Sequence, residues 1–237
     1  MSGNLLITGN SAGLGYGLTE VYLSRSWNVY GLSRRGCRDL AGPLQDIRCD
    51  LEDREAIPLA LESLLSGIER LELVILNAGI LGDMKDLHQA SMKEIEQVME
   101  INVWSNKLLL DWLIDSGIVI KQVVAISSGA SVSGNRGWNG YGISKAALNM
   151  MTALYAAELP NIHFSALAPG IIDTAMQEYI SCEVDGKKFP TAGHLKSVRE
   201  SGDMPDPVSA ATAIADAIPQ LLMFPSGDYI DIRKMGS

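Results

Sequence analysis

The stretch NLLITGNSAGLGYG, residues 4–17, decides the fold. It opens on a short apolar run closed by Gly9, which reads as a buried strand. Helical spacing follows in GLTEVYLSRS, residues 17–26. Between the two, Gly9, Gly13 and Gly15 stand in the pattern G-x-x-x-G-x-G. Glycine permits a tight turn and a close backbone approach. A helix beginning there offers unpaired N–H groups and the positive end of its dipole. Strand, glycine turn and helix in this order predict a pyrophosphate cradle made of Gly9, Asn10, Ser11, Gly13, Leu14 and Gly15. Glycines can equally make a tight turn that holds nothing, so the rest of the chain has to decide.

Outward from this stretch, strands and helices alternate. NVYGLSR (28–34), DIRCDL (46–51), LELVILNAG (71–79), KQVVAISS (121–128), HFSALAPG (163–170) and GDYIDIR (227–233) read as strands. Residues 54–65, 91–115, 140–159 and 206–222 read as helices. Ser91 and Glu94 make a capping-box pattern at the start of the long one, and Pro58 disturbs the first turn of 54–65. The strands are apolar throughout, as strands covered on both faces are. The pattern predicts an α/β, doubly wound Rossmann fold, a parallel sheet of about seven strands with helices on both faces. Residues 1–237 are read as one domain. The link from Ser33 to Asp46 is short, so its helix is expected to be one turn or absent. Residues 171–205 mix charges, Gly and polar side chains around a few apolar ones. Outside the carboxyl ends of the strands they would form a mobile lid.

The chain has 237 residues, 47% hydrophobic and 20% charged, and a net charge of −9. It lacks the basic stripe that a nucleic-acid surface needs, and its excess of acid favours solubility. Cys37, Cys49 and Cys182 fit neither a disulfide framework nor a zinc site. His88, His163 and His194 show no ligand spacing, so no metal is expected. No apolar run approaches the ~20 residues of a membrane span, and MSGNLLITG is too short before its strand for a signal peptide. A cytoplasmic location with reduced thiols is expected, with no membrane partner. The terminal Gly236-Ser237 pair stands outside the argument.

The end of the second strand decides which dinucleotide the cradle would take. A carboxylate there would hold the ribose 2′-hydroxyl of NAD. This chain instead has Ser33, Arg34 and Arg35, with no acid before Asp39. A hydroxyl and the forked donors of a guanidinium suit a 2′-phosphate. NADP(H) is the expected cofactor, and Arg35 is nearly as well explained as a solvated surface charge.

Tyr141 and Lys145, four apart in GYGISKAAL, share a helix face. Random placement of the seven Tyr and nine Lys would give roughly 0.3 such pairs. The spacing alone is weak; its company is not. Thr8-Gly9-x-x-x-Gly13-x-Gly15, Asp50-Leu51, Asn77-Ala78-Gly79, Asn102, Ser127-Ser128, Tyr141-x-x-x-Lys145 and Pro169-Gly170-x-x-x-Thr174 follow one another along nearly the whole chain. In this order the chain resembles the classical short-chain dehydrogenase/reductase family. Leu76 departs from the Asn that many members carry there, which leaves the turn intact.

The resemblance implies roles. Asp50 and Leu51 would contact adenine, and Asn77, Ala78 and Gly79 would line the cofactor groove. Lys145 would hold the nicotinamide ribose, and Ile172 and Thr174, after Pro169 and Gly170, would meet the carboxamide. The catalytic set would be Ser128, Tyr141, Lys145 and Asn102, with Ser127 the alternative serine. Tyr141 would protonate a carbonyl oxygen, its pKa lowered by the lysine cation. Ser128 would stabilise that oxygen, and Asn102 would steady a water beside Lys145.

The pocket would be built by GASVSGNRGWNG (129–140) and by 171–205. The ending FPSGDYIDIR is similar to the sepiapterin- and benzil-reductase branch, which implies diketones or other bulky carbonyls as small-molecule substrates. A 3-oxoacyl-carrier-protein reductase would share every catalytic residue and would use Arg136, Lys187, Lys188 and Lys196 as a basic entrance. A non-catalytic NADP(H)-sensing protein is the alternative of another class. The family implies a homodimer or homotetramer, formed through helices 91–115 and 140–159.

Overall fold

A computed structural model describes residues 3–37 and 39–235, which leaves the Gly236-Ser237 pair outside the described residues. The chain runs β1 (Asn4–Thr8), α1 (Gly13–Ser24), β2 (Asn28–Ser33), β3 (Leu44–Arg48), α2 (Ala56–Leu64), β4 (Arg70–Leu71) and β5 (Leu73–Leu76). It continues with α3 (Met92–Met99), α4 (Ser105–Asp115), β6 (Val119–Ile120), β7 (Gln122–Ile126), α5 (Asn139–Glu158) and β8 (His163–Ala168). It ends with α6 (Ala175–Cys182), α7 (Pro190–Glu200), α8 (Pro207–Ala217) and β9 (Tyr229–Asp231).

Seven strands make one sheet in the order β3-β2-β1-β5-β7-β8-β9, while β4 and β6 form a small pair apart. Every neighbouring pair in the large sheet is parallel. The chain starts at the middle, winds out to β3, then returns past β1 to build the other half. The order reverses between β1 and β5, and a crevice opens there at the carboxyl ends of the strands.

Side chains along each strand alternate between two cores. Leu5, Ile7, Leu73, Ile75 and Val124 pack with α1 and α8 on one face. Leu6, Leu32, Val74, Leu76 and Val123 pack with α2, α4 and α5 on the other. Each fully buried Leu or Ile contributes about 1.5–3 kcal/mol, which is why both faces of every central strand are apolar.

The 33–46 link carries no helix among its described residues, in keeping with its short length. The segment 171–205, expected as a mobile lid, folds into α6 and α7. The helix expected over 91–115 is interrupted. Its Ser91–Glu94 capping box is present in both directions, but residues Glu100–Trp104 form a wide π-type turn between α3 and α4. Ser105 Oγ donates to the Ile101 carbonyl and Asn106 Nδ2 to the Asn102 carbonyl. Side chains bonding back to helix carbonyls loosen the regular ladder, and such π-type turns gather at functional positions.

Candidate active site

Two motifs that lie far apart in the sequence form one hydrogen-bonded unit. Thr8 Oγ1 accepts from the backbone amides of Asn77 and Ala78, each at 3.0 Å. Asn77 Nδ2 donates to the carbonyls of Thr8 at 3.0 Å and Gly9 at 3.3 Å. The glycine turn is therefore riveted to the end of β5. Gly15 sits against this unit: a Cβ there would stand 2.2 Å from the Gly9 oxygen and 2.4 Å from Asn77 Nδ2. Only glycine lets α1 begin so close to β1.

The crevice above the turn is a cavity of about 380 Å³. Gly9, Ser11, Gly13, Leu14 and Gly15 form its floor. Ser33, Arg34, Arg35, Asp50 and Leu51 lie at one end, and Ser128, Tyr141 and Lys145 at the other. Asn77, Ala78, Gly79, Pro169, Gly170, Ile172 and Thr174 line the walls between. The cradle has the donor set for a dinucleotide: backbone N–H groups at a helix start, exposed guanidiniums at one end and no carboxylate at the tip of β2.

Of the nominated residues, Asn10 and Asn102 stand behind the wall rather than in it. Asn10 is buried and its Nδ2 donates to Asp46 Oδ1 at 2.7 Å. Asp46 Oδ2 accepts from the Cys37 amide at 2.7 Å. Asp46 thus ties the glycine turn to the loop after β2, a link the sequence reading missed because nothing in the order of residues pairs positions 10 and 46. Asn102 is fully buried. Its Oδ1 accepts from the Ile80 amide at 2.8 Å, and its Nδ2 donates to the Ile80 carbonyl and Ser144 Oγ, both at 2.9 Å. The π-type turn delivers the Asn102 amide to the loop after β5, which it clamps. There it still borders the lysine: a Cβ on Gly79 would stand 3.1 Å from Asn102 Oδ1 and 3.5 Å from Lys145 Nζ.

Tyr141 and Lys145 are both buried on α5. Lys145 Nζ lies 5.8 Å from the Tyr141 ring centre and donates to the Ile126 carbonyl at 2.7 Å. Burial lowers the Lys145 pKa to about 8. Burial also raises the Tyr141 pKa, against a hydrogen bond from Ser128 that lowers it. The expected lowering by the lysine is absent from the protein alone: desolvation of the phenol outweighs an ammonium held at the β7 carbonyl. The two serines separate cleanly. Ser127 Oγ is turned to Asn149 Oδ1 at 2.5 Å, whereas Ser128 shares its hydrogen bond with Tyr141.

Over the tyrosine lies a third apolar cluster of Leu81, Met84, Ala130, Ile180, Phe189, Ala192 and Leu195. Four of these come from the segment 171–205. The Trp138 ring stands 5.8 Å from the Tyr141 ring. Arg199 Nε pairs with Asp173 at 2.9 Å and joins the two ends of this cover. Arg136 is spent on Asp86, which also pairs with Lys188 at 3.3 Å.

Residues 4–184 match the family model for short chain dehydrogenases. The benzil reductase of Bacillus cereus is 28% identical over 97% of this chain and 99% of its own. That of Bacillus subtilis is 30% identical over 85% of this chain and 87% of its own. The crystal structure of the KRED1-Pglu enzyme superposes with a TM-score of 0.85 at 25% identity, over 96% of this chain and 100% of its own. Members of the matched family are oxidoreductases that use NAD(P)(H). No helix among the described residues is long and apolar enough to cross a membrane. A riveted glycine turn, a parallel sheet reversing beside it and a match over most of the length lead to one conclusion: the chain belongs to the classical short-chain dehydrogenase/reductase family, with benzil reductases among its relatives.

Proposed function

We propose that this oxidoreductase reduces a bulky, mostly apolar ketone or aldehyde to an alcohol with NADP(H). One observation carries the reading. Ser128, Tyr141 and Lys145 line one end of a cleft whose other end holds Ser33, Arg34 and Arg35. The glycine turn would hold the pyrophosphate, the two arginines and Ser33 the 2′-phosphate, and Asp50 and Leu51 the adenine. Lys145 would hold the nicotinamide ribose hydroxyls, and Ile172 and Thr174 the carboxamide. Bound there, the reduced nicotinamide supplies the hydride.

The protein supplies the proton and the surroundings. Tyr141 Oη donates its proton to the substrate oxygen. Ser128 Oγ gives a hydrogen bond to the same oxygen as charge builds on it. Lys145, with its pKa at about 8, is mostly cationic at neutral pH and favours the phenolate left behind. Asn102 keeps the loop after β5 in register with α5. The α6–α7 segment acts as a lid, and Ile180, Phe189 and Trp138 offer an apolar roof that suits an aryl or alkyl ketone. The benzil reductases among the relatives fit a diketone of this kind.

An acyl-carrier substrate is less well served, because Arg136 and Lys188 share the Asp86 carboxylate, which cancels part of their charge. A non-catalytic sensor would have no use for both Tyr141 and Lys145. Trp104, Met150 and Leu154 are exposed on the α4–α5 side, which supports a homodimer or homotetramer through this face. The test is oxidation of NADPH and NADH against benzil, aryl ketones, aliphatic aldehydes and an acyl-carrier thioester. Turnover of the aryl ketones with NADPH is expected. Tight NADPH binding with no turnover of any carbonyl would favour the sensor.

A further inference from the structure

We propose that Arg48, on β3, is a third guanidinium of the site for the 2′-phosphate; this rests on the NADP(H) reading above. Parallel pairing places Arg48 opposite Ser33 at the carboxyl ends of β2 and β3. Paired residues on neighbouring strands stand on the same face of the sheet. The Arg48 side chain runs along the loop that follows Ser33. Its Nε lies 3.7 Å from the position a Cβ would take on Gly36. The Gly36 amide in turn donates to Ser33 Oγ at 3.1 Å, so loop, serine and Arg48 form one corner.

The charge balance of the chain points to the same corner. Arg25, Arg54, Arg70, Arg136, Arg199 and Arg233 each pair with a carboxylate. Among the described residues, Arg34, Arg35 and Arg48 have no such partner, and all three flank Ser33. In a chain of net charge −9, three exposed arginines without carboxylate partners gathered around one serine make a local positive corner that attracts an anion. The Asp46 carboxylate makes no ion pair with them. Asp46 lies two residues before Arg48 on the same face of β3, and both its oxygens are spent on Asn10 and the Cys37 amide. Gly31 makes that possible: a Cβ there would stand 2.2 Å from Asn10 Nδ2. The acid holds the loop and leaves the guanidiniums free. A phosphate dianion is the ligand that three forked donors around a serine hydroxyl recognise.

The test is fluorescence titration of wild type and Arg48→Gln with NADPH, NADH and adenosine 2′,5′-bisphosphate. Arg34→Gln serves as the reference for the cofactor reading. Arg48 is exposed, so the folded state should survive the change, and circular dichroism checks it. Arg48→Gln is expected to weaken NADPH and the bisphosphate about tenfold and to leave NADH unchanged. Arg48→Lys should recover part of the loss, since charge without the fork remains. If wild type prefers NADPH, Arg34→Gln loses it and Arg48→Gln does not, the Arg48 assignment is overturned and the NADP(H) reading stands. Equal losses for NADH and NADPH would also overturn it. A wild type that binds NADH at least as tightly would remove the NADP(H) reading and the inference together.

Discussion

Replacing Lys145 by methionine removes a charge that the fold holds at a loss. The lysine is buried and its pKa is about 8, against about 10.4 in an unfolded chain. Keeping it protonated at pH 7 therefore costs the folded protein about 3 kcal/mol. The sign follows from proton binding. Between pH 8 and about 10.4 the unfolded chain binds more protons, so wild-type stability rises with pH through that window. Below pH 8 both states are protonated and the cost is at its full value; by pH 9.5 it is down to about 1.5 kcal/mol. Methionine has a similar shape but loses the bond to the Ile126 carbonyl, at about 1 kcal/mol. Lys145→Met should then be inactive yet more stable than wild type by about 2 kcal/mol at pH 7, and by about 0.5 kcal/mol at pH 9.5. Urea unfolding at the two pH values measures both gaps. A variant less stable than wild type at pH 7, or a gap that does not narrow with pH, refutes the reasoning.

Two further substitutions probe the frame around the site. Asn102→Ala removes three hydrogen bonds that join the loop after β5 to α5. At about 1 kcal/mol each it should lower stability by about 3 kcal/mol, and a loss under 0.5 kcal/mol in urea unfolding would contradict the clamp. Gly15→Ala puts a methyl 2.2 Å from the Gly9 oxygen. It should lower the midpoint of thermal unfolding and abolish NADPH binding by fluorescence, whereas wild-type values for both would show that the turn is not close-packed.

The sheet was legible because each central strand is apolar on both faces and each is followed by a helical period. Those signals are local. The broken helix at Glu100–Trp104 was not legible, since the residues responsible, Asn102, Ser105 and Asn106, are ordinary helix-surface types until they are seen bonding back to carbonyls and across to Ile80. The α6–α7 segment was hidden by its mixed composition. Its helices bury one narrow apolar side, Ile180, Ala192 and Leu195, against the tyrosine. Most of the candidate site followed from motifs whose spacing reflects real contacts, such as Thr8 with Asn77 and Ala78. The parts that escaped are tertiary. Asp46 pairs with Asn10 across two strands, and Arg48 reaches the loop after Ser33 only because β3 lies beside β2. The lysine's effect on the tyrosine also could not be foreseen, because burial acts on both groups at once.

At the centre of this account, the buried Tyr141 phenol delivers the proton to a carbonyl oxygen. Tyr141→Phe deletes only that hydroxyl, and the measurement is the single-turnover rate of NADPH oxidation with a saturating aryl ketone, beside the NADPH dissociation constant. The rate should fall at least about a thousandfold while NADPH binding stays within about twofold. A variant that still reduces the ketone at a rate near wild type would contradict the claim.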